Sequence, residues 1–342
     1  MKPVGIALVG AGFIADYHLS GLKPVDDAEV RLIVSRTTDS AGRVARQHGI
    51  AEASNDFEAA LRRRDIDAVI ITTPDDTHEE LAAAALRAGR AVLLQKPMAP
   101  DSAACRRLLS VAAETGADLQ VSFMHRYFEE VVAARALIGA GHIGTINSVR
   151  LRNATPGPNW GDWFFRRDVV GGGVVLQLGI HGIDLIGHLF GPIKSVSATV
   201  DTLVPTRRLR DGRDVPVENA DTAHACYRTA GGIVVQHEMS MIEQAGTDRF
   251  RMEIYGTAGT LWLRSERGRL ASFRCGAPDW QLHPLPDVAA GQRHHQDWVD
   301  GITGRKPRLS TARDAFAGLL VAEAIAESGS SDGVRTTVRA PA

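Results

Sequence analysis

A glycine-bearing turn, Gly10-Ala11-Gly12-Phe13-Ile14-Ala15, follows directly on the apolar run Val4 to Val9, and no other feature constrains the fold as much. Glycine at 10 and 12 lets the backbone turn tightly and approach a pyrophosphate. Ala15 is small enough for a helix to lie close on the strand, and a helix N-terminus attracts phosphate charge. A glycine-rich turn that binds nothing is common, so the context decides. A helix-permissive segment, Ile14 to Leu22, comes next, and a second apolar run, Val30 to Val34, arrives at about the 20-residue spacing of a ribose-reading position. The chain therefore reads as opening with a dinucleotide-binding βαβ unit, its turn formed by Gly10, Gly12, Phe13 and Ile14, with a nicotinamide or flavin cofactor expected.

Strand and helix patterns alternate through the first third. Val4–Val9, Val30–Val34, Ala68–Thr72, Ala91–Leu94 and Asp118–Ser122 read as strands. Between them Ala41–His48, Phe57–Arg64, Glu79–Ala88 and Ala103–Thr115 read as helices, with Ser54, Thr77 and Asp101 as candidate N-caps. This is the signature of a Rossmann-type, doubly wound parallel sheet. After Met124 the pattern changes to a helix, Phe128–Ile138, a strand, Thr145–Arg152, and a glycine-flanked helix. Period-two segments follow at Ser195–Leu203, Ala220–Tyr227, Ile233–Met239, Phe250–Tyr255 and Thr260–Leu263. The expected fold is thus α/β: a Rossmann domain over residues 1–124, then an α+β domain over 125–342 with a large, mostly antiparallel open sheet. Arg207–Arg213 reads as a loop and Thr311–Glu327 as a closing helix.

Charge and cysteine usage narrow the partners. Lys plus Arg number 39 against 40 Asp plus Glu, so no basic field draws nucleic acid and no acidic excess signals disorder. Cys105, Cys226 and Cys275 are odd in number, widely spaced and without metal-ligand spacing, so they are expected as buried packing residues in a reducing compartment. No secretory pattern opens the chain and no apolar run is long enough to span a bilayer, so a cytoplasmic protein acting on a small molecule is expected.

Only five of the 39 basic residues are lysines, and Lys96 stands between an apolar strand ending in Gln95 and Pro97. That is the carboxyl end of a strand, where ligands of α/β sheets bind. A lysine there can hydrogen-bond a substrate oxygen or relay a proton. In the run Gly171 to Asp184, helical spacing would put Gln177, His181 and Asp184 on one face at i, i+4 and i+7. His181 is the natural general acid/base, although a histidine on an apolar helix is often only a satisfied core residue. The doublet His294-His295 lacks a third ligand at metal spacing and reads as loop or sheet surface, so no metal site is expected.

Several motifs together resemble the Gfo/Idh/MocA oxidoreductases: the fingerprint, Thr73-Pro74-Asp75-Asp76-Thr77-His78, Lys96-Pro97, Gly144 in its turn, Gly171 to Asp184, and Gly256-Thr257-Ala258-Gly259-Thr260-Leu261. The resemblance runs over nearly the whole chain in the right order. It implies hydride transfer between NAD(P) and a hydroxyl or carbonyl of a sugar, inositol or related polyol, in a homodimer or homotetramer. It also implies Lys96 as catalytic lysine and His181 as catalytic acid/base, with Gly10, Gly12, Thr73, Pro74 and His78 around the cofactor and Gln95, Lys96 and Pro97 beside it. Two positions depart from the family pattern. Its Glu-Lys-Pro is Gln95-Lys96-Pro97 here, and the acidic residue four before the histidine is Gln177. An amide can position a substrate hydroxyl, the role expected of Gln177, but cannot supply negative charge. These departures leave room for a non-sugar cyclic diol or hemiacetal as substrate, or for a catalytically reduced cofactor-binding regulator.

Cofactor preference can be read at the end of the second strand, where NAD enzymes place an acidic residue. Ser35 and Arg36 stand there instead, and guanidinium pairs with a 2′-phosphate through two parallel hydrogen bonds, so NADP is expected over NAD; stacking of Arg36 on adenine is the competing account. Trp160 and Trp163 are expected to stack on a sugar ring or shield the nicotinamide from water, with packing between the domains as the competing account. Arg126 and Tyr127, just past the last Rossmann strand, and Asp184 complete the candidate substrate residues.

Overall fold

A computed structural model of the chain describes residues 2–245, 249–265, 268–307 and 309–341. It comprises two units, Met1–Tyr127 with Asp287–Phe316, and Phe128–Pro286 with Ala317–Ala342.

The first unit is built on six parallel strands: β1 (Val4–Val9), β2 (Ala28–Val34), β3 (Glu52–Ser54), β4 (Ala68–Ile71), β5 (Ala91–Leu94) and β6 (Leu119–Val121). Their order is β3-β2-β1-β4-β5-β6. Every residue of β1, β4 and β5 is buried, because a parallel sheet is covered on both faces; their sequences therefore read as unbroken apolar runs. The three residues of β3, Glu52-Ala53-Ser54, carry no apolar run, and this strand was absent from the sequence expectation. Helices α1 (Phe13–Leu22), α2 (Thr38–His48), α3 (Phe57–Arg62), α4 (His78–Arg87) and α5 (Ser102–Thr115) connect the strands.

Asp101 caps α5, accepting from Ala104 N at 2.8 Å, as expected. The other two expected caps do not form. Asp56 caps α3 by accepting from Ala59 N at 2.8 Å, while Ser54 ends β3 and its hydroxyl accepts from Asp56 N. Thr77 precedes α4 but makes no cap bond; its hydroxyl donates to Pro74 O at 2.7 Å.

The order reverses between β1 and β4, and there Gly10 adopts φ +111°, a conformation side chains resist. A Cβ on Gly10 would also lie 2.6 Å from Thr72 Oγ1. The first unit's core takes in α8 (Gln292–Ile302), whose Trp298 and Val299 are fully buried in the cluster that holds Ile6, Leu8 and Ile33.

The second unit carries α6 (Glu129–Gly139), α7 (Ile180–Phe190), most of α9 (Ala312–Ser330) and a nine-stranded sheet. Its strands include β7 (Ile146–Ala154) and β8 (Ile193–Asp201). Residues 207–213, expected as a loop, fall within a separate hairpin of β9 (Thr206–Arg208) and β10 (Asp214–Pro216), whose apolar Leu209 and Val215 pack on Phe165. The sheet continues with β11 (Thr222–Thr229), β12 (Val234–Ser240), β13 (Phe250–Gly256), β14 (Gly259–Ser265), β15 (Gly268–Arg274), β16 (Gln281–Leu282) and β17 (Thr336–Thr337). Its order is β16-β15-β14-β13-β7-β12-β11-β8-β17, and among the described residues only β7 with β12 pairs parallel. Along β11, Ala223, Ala225 and Tyr227 are buried and His224, Cys226 and Arg228 are exposed, the alternation of a sheet with one covered face.

Of the cysteines only Cys105 is buried; Cys226 and Cys275 are exposed, Cys226 because it lies in the outward phase of β11. Among the described residues no cluster of three metal ligands exists, and no helix is long and apolar enough to cross a membrane.

Candidate active site

In the first unit the cofactor candidates gather at the carboxyl ends of β1, β4 and β5. Gly12 is the N-cap residue of α1, which carries no side-chain cap, and a Cβ on Gly12 would meet nothing within 4 Å. An open glycine at an uncapped helix N-terminus is the cradle a pyrophosphate requires, so these residues fit a dinucleotide. Phe13 is 64% exposed at the same edge, with Ile14 beside it. Past β2, Ser35 Oγ accepts from Ser40 Oγ at 2.8 Å and Arg36 is exposed. The buried His78 ring ties two strand ends together, with its nitrogens 3.0 Å from Thr73 O and 2.8 Å from Pro97 O. Pro74 is exposed and the Lys96-Pro97 bond is cis.

Lys96 is half-buried at the end of β5; burial draws its pKa below the ordinary lysine range, and the Asp75 carboxylate opposes that shift. Gln95 beside it is buried and joined to residues far away in sequence. Its Oε1 accepts from Lys96 N at 2.9 Å and its Nε2 lies 3.0 Å from His18 Nε2. His18 Nδ1 lies 2.9 Å from His295 Nε2, and His295 Nδ1 lies 2.7 Å from Gly291 O. The expected surface position of His294-His295 is therefore wrong: both are fully buried on α8. The i, i+3, i+4, i+7 spacing of His295, Trp298, Val299 and Ile302 was the available signal, masked by the polar residues between them. His18 and Asp75 were likewise missed as individual residues. Arg126 is buried in this unit, donating to Leu309 O at 2.6 Å and paired with Asp314 at 3.3 Å, while Tyr127 donates to Asp297 Oδ2 at 2.7 Å.

In the second unit Gln177, His181 and Asp184 are all buried, at 9%, 8% and 4% exposure. Val175–Gly179 is a π turn that runs directly into α7, which carries His181 and Asp184. Gly182, next to His181, lets α7 settle onto the sheet: a Cβ there would lie 2.6 Å from Asn153 Oδ1 and 2.7 Å from His237 Nε2. Beneath it runs a buried polar chain, Tyr227 Oη to His237 Nδ1 at 2.8 Å and His237 Nε2 to Asn153 Oδ1 at 2.9 Å. Trp160 is 49% exposed, and Trp163 is half-buried with its ring 4.4 Å from that of Phe164.

Comparison with known proteins agrees with this architecture. The family described as oxidoreductases with an NAD-binding Rossmann fold matches residues 4–123, and the GFO/IDH/MocA C-terminal domain matches residues 131–262. Inositol 2-dehydrogenase of Rhizobium meliloti (strain 1021) is 30% identical over 335 residues, covering 95% of this chain and 96% of its own. The dTDP-3,4-didehydro-2,6-dideoxy-alpha-D-glucose 3-reductase of Actinomadura kijaniata is 32% identical over 264 residues, covering 77% and 75%. The structure of levoglucosan dehydrogenase in complex with NADH shares the fold, with a TM-score of 0.90 at 23% identity over 99% of this chain and 100% of that one. With both domain models and a relative of full length in agreement, the chain belongs to the Gfo/Idh/MocA family of NAD(P)-dependent oxidoreductases.

Proposed function

We propose that this chain oxidises a secondary alcohol of a sugar, inositol or related cyclic polyol with NADP, or reduces the corresponding ketone, using Lys96 and His181 as catalytic residues. The observation that carries the reading is Lys96, a half-buried lysine with a lowered pKa at the carboxyl end of β5, in the sheet whose β1 turn is open to a pyrophosphate. The names of the relatives, which act on inositol and on a nucleotide-linked deoxysugar, support the substrate class.

Gly10, Gly12, Thr73 and His78 would hold the dinucleotide, and the exposed Arg36 past β2 favours a 2′-phosphate. Bound nicotinamide supplies the hydride-accepting carbon. As the carbinol hydrogen leaves with its electron pair, the His181 imidazole takes the hydroxyl proton and a carbonyl forms. Lys96 donates a hydrogen bond to the same substrate oxygen, where negative charge develops. Gln177 positions a substrate hydroxyl, and the Trp160 and Trp163 rings offer faces for an apolar ring surface.

Nicotinamide absorbance, read with NADP and NAD against monosaccharides, inositols, anhydrosugars, glycosides and cyclic dihydrodiols, tests the reading. Lys96→Ala and His181→Ala should each lower kcat/KM by roughly 100-fold or more. Full activity in either would sink the assignment, and cofactor binding without turnover across the panel would favour a regulatory protein.

A further inference from the structure

The carboxamide of Gln95 stands at one end of a buried hydrogen-bond chain with a fixed direction. The backbone N–H of Lys96 can only donate, so the group it meets at 2.9 Å is the carbonyl oxygen of the Gln95 amide. Nε2 of Gln95 is then the donor toward His18 Nε2, which has to be the unprotonated ring nitrogen. The His18 proton therefore sits on Nδ1 and is donated to His295 Nε2, and His295 carries its own proton on Nδ1, facing Gly291 O. One arrangement satisfies every bond, with both imidazoles neutral and in the Nδ1–H tautomer. Burial, with repulsion from His295, pushes the pKa values of His18 and His294 well below the ordinary histidine range, and burial lowers that of His295 to about 4.

A carboxylate at position 95 is incompatible with this arrangement. It accepts from Lys96 N but has no donor for His18, which must then turn Nε2–H toward it. His18 Nδ1 would face His295 Nε2 acceptor to acceptor, unless the pair took up a proton.

We propose that Gln95 is a positioning residue for Lys96: the relay Gln95–His18–His295–Gly291 anchors the lysine backbone and keeps the side chain that meets the lysine N–H uncharged. Only the effect on turnover rests on the dehydrogenase reading; the relay is independent of it. Asp75 acts on Lys96. Tyr17, on α1, packs against His18, His294 and His295 with ring centroids 5.3, 6.1 and 5.7 Å away. Tyr127 stacks on His294, and Asp297 accepts from Tyr127 Oη and Leu309 N.

Two measurements that need no turnover test this. Nitrogen-15 NMR of the histidine rings should show His18 and His295 as neutral Nδ1–H tautomers at pH 7. Carbon-13 reductive methylation resolves the titrations of the five lysines, and in Gln95→Glu that of Lys96 should move up by about one unit. The uncharged Gln95→Met should leave the lysine titration in place and lower kcat about tenfold, with substrate KM within about twofold. An Nε2–H tautomer at either histidine, or an unmoved Lys96 in folded Gln95→Glu, overturns the proposal. Should Gln95→Glu fail to fold, wild-type kcat in Gln95→Met overturns it. No turnover by the wild-type protein would instead overturn the dehydrogenase reading, with the tautomers and the lysine titration still readable.

Discussion

At the scale of single residues, chemistry was most legible where a rare residue type met an abrupt local context. Lys96 stood out because lysine is scarce in this chain and because a strand ran into a proline there, and the structure places it half-buried at the end of β5. Arg36 was legible for the same reason, as a cation where an acidic residue is usual. Its exposure leaves the guanidinium available to a phosphate. Arg36→Ala should weaken NADP binding roughly 10-fold to 100-fold and leave NAD binding nearly unchanged; titration with both nucleotides checks this, and an unaltered NADP affinity would remove the phosphate assignment. The buried histidines were illegible individually, since nothing within a few residues of His18 says that residue 295 will meet it.

At the scale of elements, periodicity recovered most strands and helices, because burial on one or two faces writes itself into neighbouring residues. It failed where an element is too short or too polar to carry a period, as in β3 and in the β9–β10 hairpin. The seat of α7 on β7 and β12 gives a sharp test. Gly182→Ala would drive a methyl group against Asn153 and His237, which are hydrogen-bonded to each other in a buried polar chain. A stability loss of about 1–3 kcal/mol is expected, read from the urea midpoint; a neutral result would mean that α7 shifts freely.

For the molecule as a whole, buried neutral histidines set the response to acid. His295 and His237 titrate in the native state at about 4 and about 3, against 6.5 for the free side chain, and His18 and His294 are lowered in the same direction. Below pH 6.5 the unfolded chain binds protons that the native state refuses. Stability is therefore complete above that pH and falls as pH drops toward 4, by about 1.4 kcal/mol per pH unit for each such histidine. Denaturant midpoints at pH 7.5, 6.0 and 5.0 should fall in that order, and equal midpoints would mean that these rings are solvated. The amino-acid sequence by itself determined the cofactor turn, the alternation that builds a parallel sheet, the period-two strands of the second unit and the family, because each of these is written in residues that are close along the chain. Only the tertiary structure decided which strands are neighbours, that β7 and β12 run parallel, and that residues 18, 95 and 295 share one proton chain, because strand pairing and buried hydrogen bonds join positions far apart along the chain.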